Sequence, residues 1–209
     1  MDGDGLTRNL NNLESAGFIH AIKPIMKPDN TKLIKYILSD AYLRFYHALM
    51  LPELVRIKSG RSKLSFASLA QKAQFQSWRG RAFELICMQH APLIAQAIGF
   101  HGIEYDFGPF FKSAKNSIGG IQADLVFNRA DNVLTVCEMK CSQNPIGKSV
   151  IADLEKKEAV LREIFPNKTI QKVLIYHGSI TSGASRSPYI YQTIDSDFLF
   201  SNTNLKQGY

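Results

Sequence analysis

The strongest strand prediction falls on Val133-Leu134-Thr135-Val136-Cys137-Glu138-Met139-Lys140-Cys141. This stretch is almost wholly apolar, which is typical of a strand at the centre of a sheet. Glu138 and Lys140 are two positions apart, so on a strand both side chains project from the same face. Burying these charges is costly unless they are paired or bind a metal. Glu-x-Lys alone is a weak signal, since about one match is expected by chance in a chain of this length. A cross-strand ion pair is the simpler interpretation.

A second carboxylate belongs to the preceding predicted strand, about Ile121 to Asn128. Asp124 on this strand follows Gly119-Gly120, which would let a backbone approach closely. The tight connection from Arg129 to Asn132 predicts a hairpin, which can bring Asp124 and Glu138 to the same end of the sheet. Two carboxylates in an apolar setting repel each other unless a divalent cation lies between them. The combination favours a metal site over a turn or cap.

The neighbouring elements extend this hairpin into an α/β fold whose core has the order α-β-β-β-α-β. The crossover helix implies a parallel strand pair in an otherwise antiparallel, mixed sheet. The predicted elements are a helix from near Ser77 to His90 that resumes to Ile98, a strand from Ile103 to Phe111, a helix from Ser149 to Ile164, and strands from Lys172 to Tyr176 and from Tyr189 to Ile194.

The N-terminal part predicts a helix from Leu6 to Ala16, which Gly17 ends. A basic β-hairpin follows, with strands Phe18 to Ile22 and Leu33 to Leu38 joined by the turn Lys27-Pro28-Asp29-Asn30. Helix and hairpin together resemble the second half of a winged helix-turn-helix, with its recognition helix and wing. We therefore expect a partial winged helix at 1–38, a helical basic connector at 39–75 and the α/β domain at 76–209.

The formal net charge is +7, and the basic residues are unevenly distributed. No Asp or Glu occurs between Arg56 and Arg81. Such a run either contacts phosphate or forms a solvated helix surface, and both interpretations stay open. Its basic residues are Arg56, Lys58, Arg61, Lys63, Lys72, Arg79 and Arg81.

Several classes of protein are disfavoured by the sequence. No apolar run approaches the roughly 20 residues needed to cross a bilayer. The acidic, polar N-terminus does not resemble a secretory signal. Three cysteines cannot all pair, and none forms a CxxC motif, so buried reduced thiols are expected. We therefore expect a cytoplasmic location and no membrane contact.

A family resemblance rests on the octapeptide Trp78-Arg79-Gly80-Arg81-Ala82-Phe83-Glu84-Leu85 together with Asp124 and Glu138-Met139-Lys140. In this order they resemble the PD-(D/E)xK nuclease superfamily. The resemblance implies that Asp124, Glu138 and the carbonyl of Met139 bind Mg²⁺ or Mn²⁺, and that Glu84 completes the shell. It also implies that Lys140 orients the attacking water or stabilises charge on the phosphate. The candidate DNA contacts are Arg61, Lys63, Arg79 and Arg81 of the basic stretch, together with Lys148, for which a solvated surface position is an equal alternative.

More specifically, the chain is similar to the C-terminal region of the archaeal-type P-loop ATPases. In that family a winged helix precedes a segment like Tyr36-Ile37-Leu38-Ser39-Asp40-Ala41-Tyr42-Leu43-Arg44-Phe45-Tyr46. The sequence departs from the family in having no GxxxxGK[ST] motif and only half of a winged helix. The resemblance therefore implies a separate tail, a split gene or a remnant, with a partner protein that supplies the missing parts.

Three functions are compatible with these patterns. The first is a Mg²⁺-dependent endonuclease that hydrolyses DNA phosphodiesters, which the complete set of three carboxylates and Lys140 favours. The second is an inactive nuclease-fold module that binds DNA or a partner protein, which the missing ATPase favours. The third is a toxin-like or partner-regulated module.

Overall fold

The computed structural model describes residues 3–26, 34–61, 65–113 and 120–201. The chain forms two compact units. The first unit comprises Met1–Lys23 and Pro28–Arg79, and the second comprises Pro24–Lys27 and Gly80–Tyr209.

The first unit begins with the predicted helix and hairpin. Helix α1 spans Gly3–Ser15, and Gly17 ends it in the left-handed conformation with φ 77°. Strand β1 (Ile19–Ile22) pairs antiparallel with strand β2 (Lys35–Leu38). Both predicted elements are therefore present, while the turn expected between them at 27–30 lies outside the described residues.

Short helical segments make up the remainder of the first unit. Asp40 caps the first of them by accepting a hydrogen bond of 2.7 Å from the Leu43 amide. A small core of Leu49, Leu69 and Phe75 holds the segments together. They are α2 (Ala41–Phe45), a π-helical turn (Tyr46–Met50), a 3-10 turn (Leu51–Glu53), α3 (Leu54–Lys58), α4 (Phe66–Ala70) and the start of α5 (Ala73–Gln89).

The second unit is built on a five-stranded mixed sheet with the strand order β3-β4-β5-β6-β7. Strands β3, β4 and β5 pair antiparallel, whereas β5, β6 and β7 run parallel. The predicted α-β-β-β-α-β order and mixed sheet are confirmed, and the structure adds a second parallel pair. The strands are β3 (Tyr105–Lys112), β4 (Ile121–Arg129), β5 (Val133–Cys141), β6 (Thr169–His177) and β7 (Gln192–Asp195).

Helices cover the two faces of this sheet. On one face, the part of α5 within this unit and α6 (Ala91–Ile98) pack on residues such as Cys137 and Met139. On the other face, α7 (Ser149–Ile164) packs on residues such as Val136 and Leu174. Strand alternation places Glu138 on the α7 face, because it follows Val136 by two positions.

The loops after β5 and β6 are joined to each other at the carboxyl end of the sheet. Ser142 donates a hydrogen bond of 3.2 Å to the His177 carbonyl, and the Ile146 amide donates one of 2.8 Å to the Ser179 carbonyl. Gly178 between them has φ 112°, and a Cβ there would collide with the Ser142 carbonyl oxygen. A short helix, α8 (Ser182–Ser185), follows, and a 3-10 segment at Ser196–Phe200 succeeds β7.

Across the described residues, none of the helices combines the length and the apolar character needed to span a bilayer.

Candidate functional site

A buried carboxylate lies at the centre of the sheet. Glu138 on β5 is 4% exposed, and only two other polar residues of the described chain, Thr135 and Ser196, are as deeply buried. Each of its oxygens meets an ammonium group. Lys140 Nζ lies 2.8 Å from Oε1, and Lys157 Nζ lies 2.5 Å from Oε2. Two pairings of this kind compensate for the desolvation that an isolated carboxylate could not tolerate.

The two ammonium groups keep Glu138 ionised. Burial alone raises the pKa of Glu138, but Lys157 and Lys140 outweigh it, so the pKa lies below its ordinary value. The same pairing stabilises the charged form of Lys140. Burial lowers the pKa of Lys140, whereas Glu138, and after it Asp153 and Asp124, raise it above its ordinary value. The site is therefore a charged cluster at neutral pH.

Asp124 lies near this cluster, just beyond the ladder that joins β4 to β5. The last registered pair of that ladder is Leu125 with Cys137. A β-bulge sets Asp124 and Leu125 opposite Pro109 of β3, because the register passes from Gly108–Val126 to Phe110–Ala123. The Asp124 carboxylate accepts a hydrogen bond of 3.3 Å from Gln122. It is half-buried and within electrostatic reach of Lys140. Gly119, expected to allow a close backbone approach, lies outside the described residues.

Glu84 belongs to helix α5, whose buried residues pack on the sheet face opposite to that of Glu138. One turn along the helix, it acts on Cys87. Burial first, and the Glu84 carboxylate second, raise the pKa of the Cys87 thiol to about 12. Cys87 therefore stays protonated and unreactive, as expected for a buried thiol. Across residues 3–26, 34–61, 65–113 and 120–201, no three His, Cys, Asp or Glu side chains are grouped to hold a metal ion.

Lys157 is the closest partner of Glu138 by distance, and it was not among the residues predicted from the sequence. Lys157 lies on α7 three positions after Leu154 and four before Leu161, and both leucines are buried. A lysine on the buried stripe of an amphipathic helix was the available signal, because such a position normally holds an apolar residue. What the periodicity could not show is which carboxylate this lysine faces.

The predicted DNA contacts have varied surroundings. Arg61, Arg81 and Lys148 are exposed, whereas Lys63 lies outside the described residues. Arg79 is half-buried, and its Nε is buried with no hydrogen-bond partner among the described residues.

Part of the basic stretch is neutralised by a residue that precedes it. Glu53 forms ion pairs with Lys72 at 2.9 Å and with Arg56 at 3.2 Å. The hydrogen bond from Lys72 is the main cause that lowers the pKa of Glu53. The stretch is therefore not wholly one-signed in space, although Arg61 and Arg81 stay exposed.

A polar cavity of about 440 Å³ lies at the other end of the sheet, beside the β4–β5 hairpin. Its two basic side chains are already hydrogen-bonded. Arg129 donates to both Asp131 and Gln171, and Lys168 donates to Asn128 at 2.8 Å. These bonds brace the hairpin, and they leave Glu138 and its lysines as the better candidate site.

Comparisons with known proteins found similar solved structures but no matching family. No protein-family model matches the sequence, and neither does any curated protein. Among solved structures, the chain is similar to EndoMS in a complex with double-stranded DNA, with 20% identity and a TM-score of 0.33 over 52% of this chain and 42% of that one. It is also similar to a repair endonuclease from Pyrococcus abyssi, with 15% identity and a TM-score of 0.30 over 46% of this chain and 38% of that one. The chain thus spans less than half the length of either protein.

Proposed function

We propose that the second unit is a divalent-metal-dependent nuclease domain that acts on DNA phosphodiesters at Glu138. The observation that carries this proposal is the cluster of Glu138 and Lys140 on the central strand with Lys157 of α7, with Asp124 within electrostatic reach. A sheet of this kind needs no buried ion pairs, and apolar side chains of similar volume are often as stable or more so. The charges are therefore better explained by chemistry than by folding.

The donor chemistry of the cluster fits a hard divalent cation. Mg²⁺ prefers oxygen ligands, and it often binds through one or two carboxylates together with water and substrate phosphates. Asp124, Glu138 and the Met139 carbonyl would hold the ion, and Glu84 is left out of this donor set because α5 packs on the opposite face of the sheet. When bound, the ion would polarise the phosphoryl oxygen and lower the pKa of a coordinated water.

The chain's own cations would act on the phosphate. Lys140 is partly exposed, with 38% of its side chain accessible, so it can reach a substrate while its partner Glu138 stays buried. It would stabilise negative charge that develops on the phosphoryl group. Lys157 is more enclosed, at 17%, and would hold Glu138 in position.

A second function, DNA binding without cleavage, is favoured by one specific observation. Both oxygens of Glu138 are already paired with ammonium groups, so a metal ion would have to replace at least one of these contacts. If the lysines stay in place, the cluster is a structural ion network, and the exposed basic residues alone contact DNA.

Metal titration of three variants separates the two functions. If the cluster binds metal, Asp124→Asn and Glu138→Gln should weaken Mn²⁺ binding in calorimetry and abolish cleavage of plasmid and branched DNA. Lys140→Ala should keep the metal and lose turnover. If the wild type shows no metal binding and no shift in its melting temperature with Mn²⁺, while Lys140→Ala is the least stable variant, the nuclease function is excluded.

We also propose that the chain acts together with an ATPase. The resemblance to archaeal-type P-loop ATPases supports this, and the exposed Leu6 and Leu13 of α1 offer an apolar surface for a further winged-helix segment. Hydrogen exchange provides the test, since a winged-helix fragment of such an ATPase, added in trans, should protect the α1 amides. Unchanged exchange in α1 would contradict this partnership.

A further inference from the structure

Lys148 has a fixed backbone at the carboxyl end of the parallel strands. It precedes α7, two positions after Ile146 and two before Val150, and both of these residues are buried in one apolar cluster. The Ile146 carbonyl accepts hydrogen bonds from the Thr181 amide at 3.0 Å and from the Thr181 hydroxyl at 3.2 Å. The backbone position from which the Lys148 side chain extends is therefore held by the loops that follow β5 and β6.

The Lys148 stem then crosses the backbone of Gly183 in α8. A Cβ on Gly183 would lie 2.9 Å from Cε of Lys148, 3.7 Å from Cγ and 3.8 Å from Cδ. Any larger residue at position 183 would occupy the space that the stem now fills. The absence of a side chain on Gly183 thus decides the path of the lysine.

The ammonium group at the end of this stem is available to an external anion. Within the part of the chain that the structure describes, Lys148 Nζ takes part in no hydrogen bond or ion pair, unlike Lys140 and Lys157 of the same unit. A lysine whose stem is already ordered loses less conformational entropy when it binds a phosphate.

We propose that Gly183 is a positioning residue that directs Lys148 toward a phosphate of the nucleic-acid backbone. This inference rests on the proposed DNA function and adds to it the residue that sets the geometry of one contact. Gly183 touches no substrate itself. Its role is steric, and it acts only through the lysine.

Gly183→Ala should leave the fold almost unchanged but should displace the Lys148 side chain from its present position. The Gly183 backbone lies outside the left-handed region, so alanine is compatible with its conformation. The colliding atom belongs to the far end of a flexible side chain, which can move aside without disturbing the core. We therefore expect a melting temperature equal to or slightly above that of the wild type.

The test is the salt dependence of duplex DNA binding without metal, measured for the wild type, Lys148→Ala, Gly183→Ala and the double variant. Losing one phosphate contact should reduce the slope of log K against log salt by about one unit. Gly183→Ala should reproduce the loss seen in Lys148→Ala, and the double variant should lose no more than either alone. Gly102→Ala is the matched control, because nothing lies within 4 Å of a Cβ there.

The outcomes distinguish the inference from the function on which it rests. If Lys148→Ala reduces the slope and Gly183→Ala does not, the positioning role is overturned and DNA binding stands. If Lys148→Ala leaves the slope unchanged, the lysine contacts no phosphate, and the role of Gly183 falls with it. If the wild type fails to bind duplex DNA, both the inference and the proposed function are overturned.

Discussion

Glu138 is a charged residue on a mostly apolar strand, and two lysines from different elements compensate its buried charge. Lys140 comes from the same strand, whereas Lys157 comes from α7. A carboxylate within two residues of its partner can be found from sequence spacing. A partner 19 positions away cannot, because only the packing of α7 on the sheet brings the two together.

Lys157→Met removes one ammonium group and keeps most of the buried stem. Losing one partner of a buried ion pair costs about 3–5 kcal/mol, and because Lys140 remains we expect the lower end of that range. Chemical denaturation measures the loss in the free energy of unfolding. Lys156→Met, an exposed neighbour, is the control and should leave stability almost unchanged. Equal stability of the two variants would show that Glu138 does not need Lys157.

The same carboxylate predicts how stability depends on pH. The folded-state pKa of Glu138 is depressed, so the unfolded chain binds more protons as the pH falls. Its contribution is complete above the ordinary pKa of a glutamate and is lost as the pH falls through the depressed folded value. Thermal melts between pH 7 and pH 3 should decline less steeply for Glu138→Gln than for the wild type. Glu155→Gln, at an exposed position, should follow the wild type.

At the scale of elements, the local sequence pattern was sufficient to predict most of the helices and strands of the second unit. Apolar runs and helical spacing predicted β5 and α7 with the bounds that the structure shows. The second parallel pair could not be predicted, since it depends on β7 returning beside β6 through a loop of Gly and Ser residues. The bulge at Asp124 was also missed, because it arises from the register against β3 rather than from β4 alone.

The joined loops after β5 and β6 constrain Gly178 tightly. Gly178→Ala would force a positive φ on alanine and a collision with the Ser142 carbonyl. A strained backbone residue costs about 1–3 kcal/mol, and the collision adds to this cost. Differential scanning calorimetry should therefore show a clearly lower melting temperature. Gly102→Ala serves as the control here too, and a shift no larger than in that variant would mean that the loops are free to separate.

At the scale of the whole molecule, the two units bury their apolar residues to different extents. The first unit exposes Leu6, Leu13, Phe18, Tyr42 and Val55, whereas the second encloses most of its large side chains around the sheet. Stability within a protein follows such differences in buried contact. Hydrogen exchange of the isolated chain should show the α1 amides opening well before those of β5. Protection of α1 equal to that of β5 in a monomer would contradict this order.

The β3 edge at Pro109, opposite the bulge in β4, affects how molecules meet in solution. β3 is an outer strand of the sheet, and outer strands can recruit strands from other copies. Pro109 cannot donate a hydrogen bond there, and its carbonyl already accepts one of 2.9 Å from the Ile25 amide. Ile25 itself is buried against Phe110. A second copy could add a strand at this point only by displacing Ile25, so this short segment protects the chain from edge-to-edge aggregation.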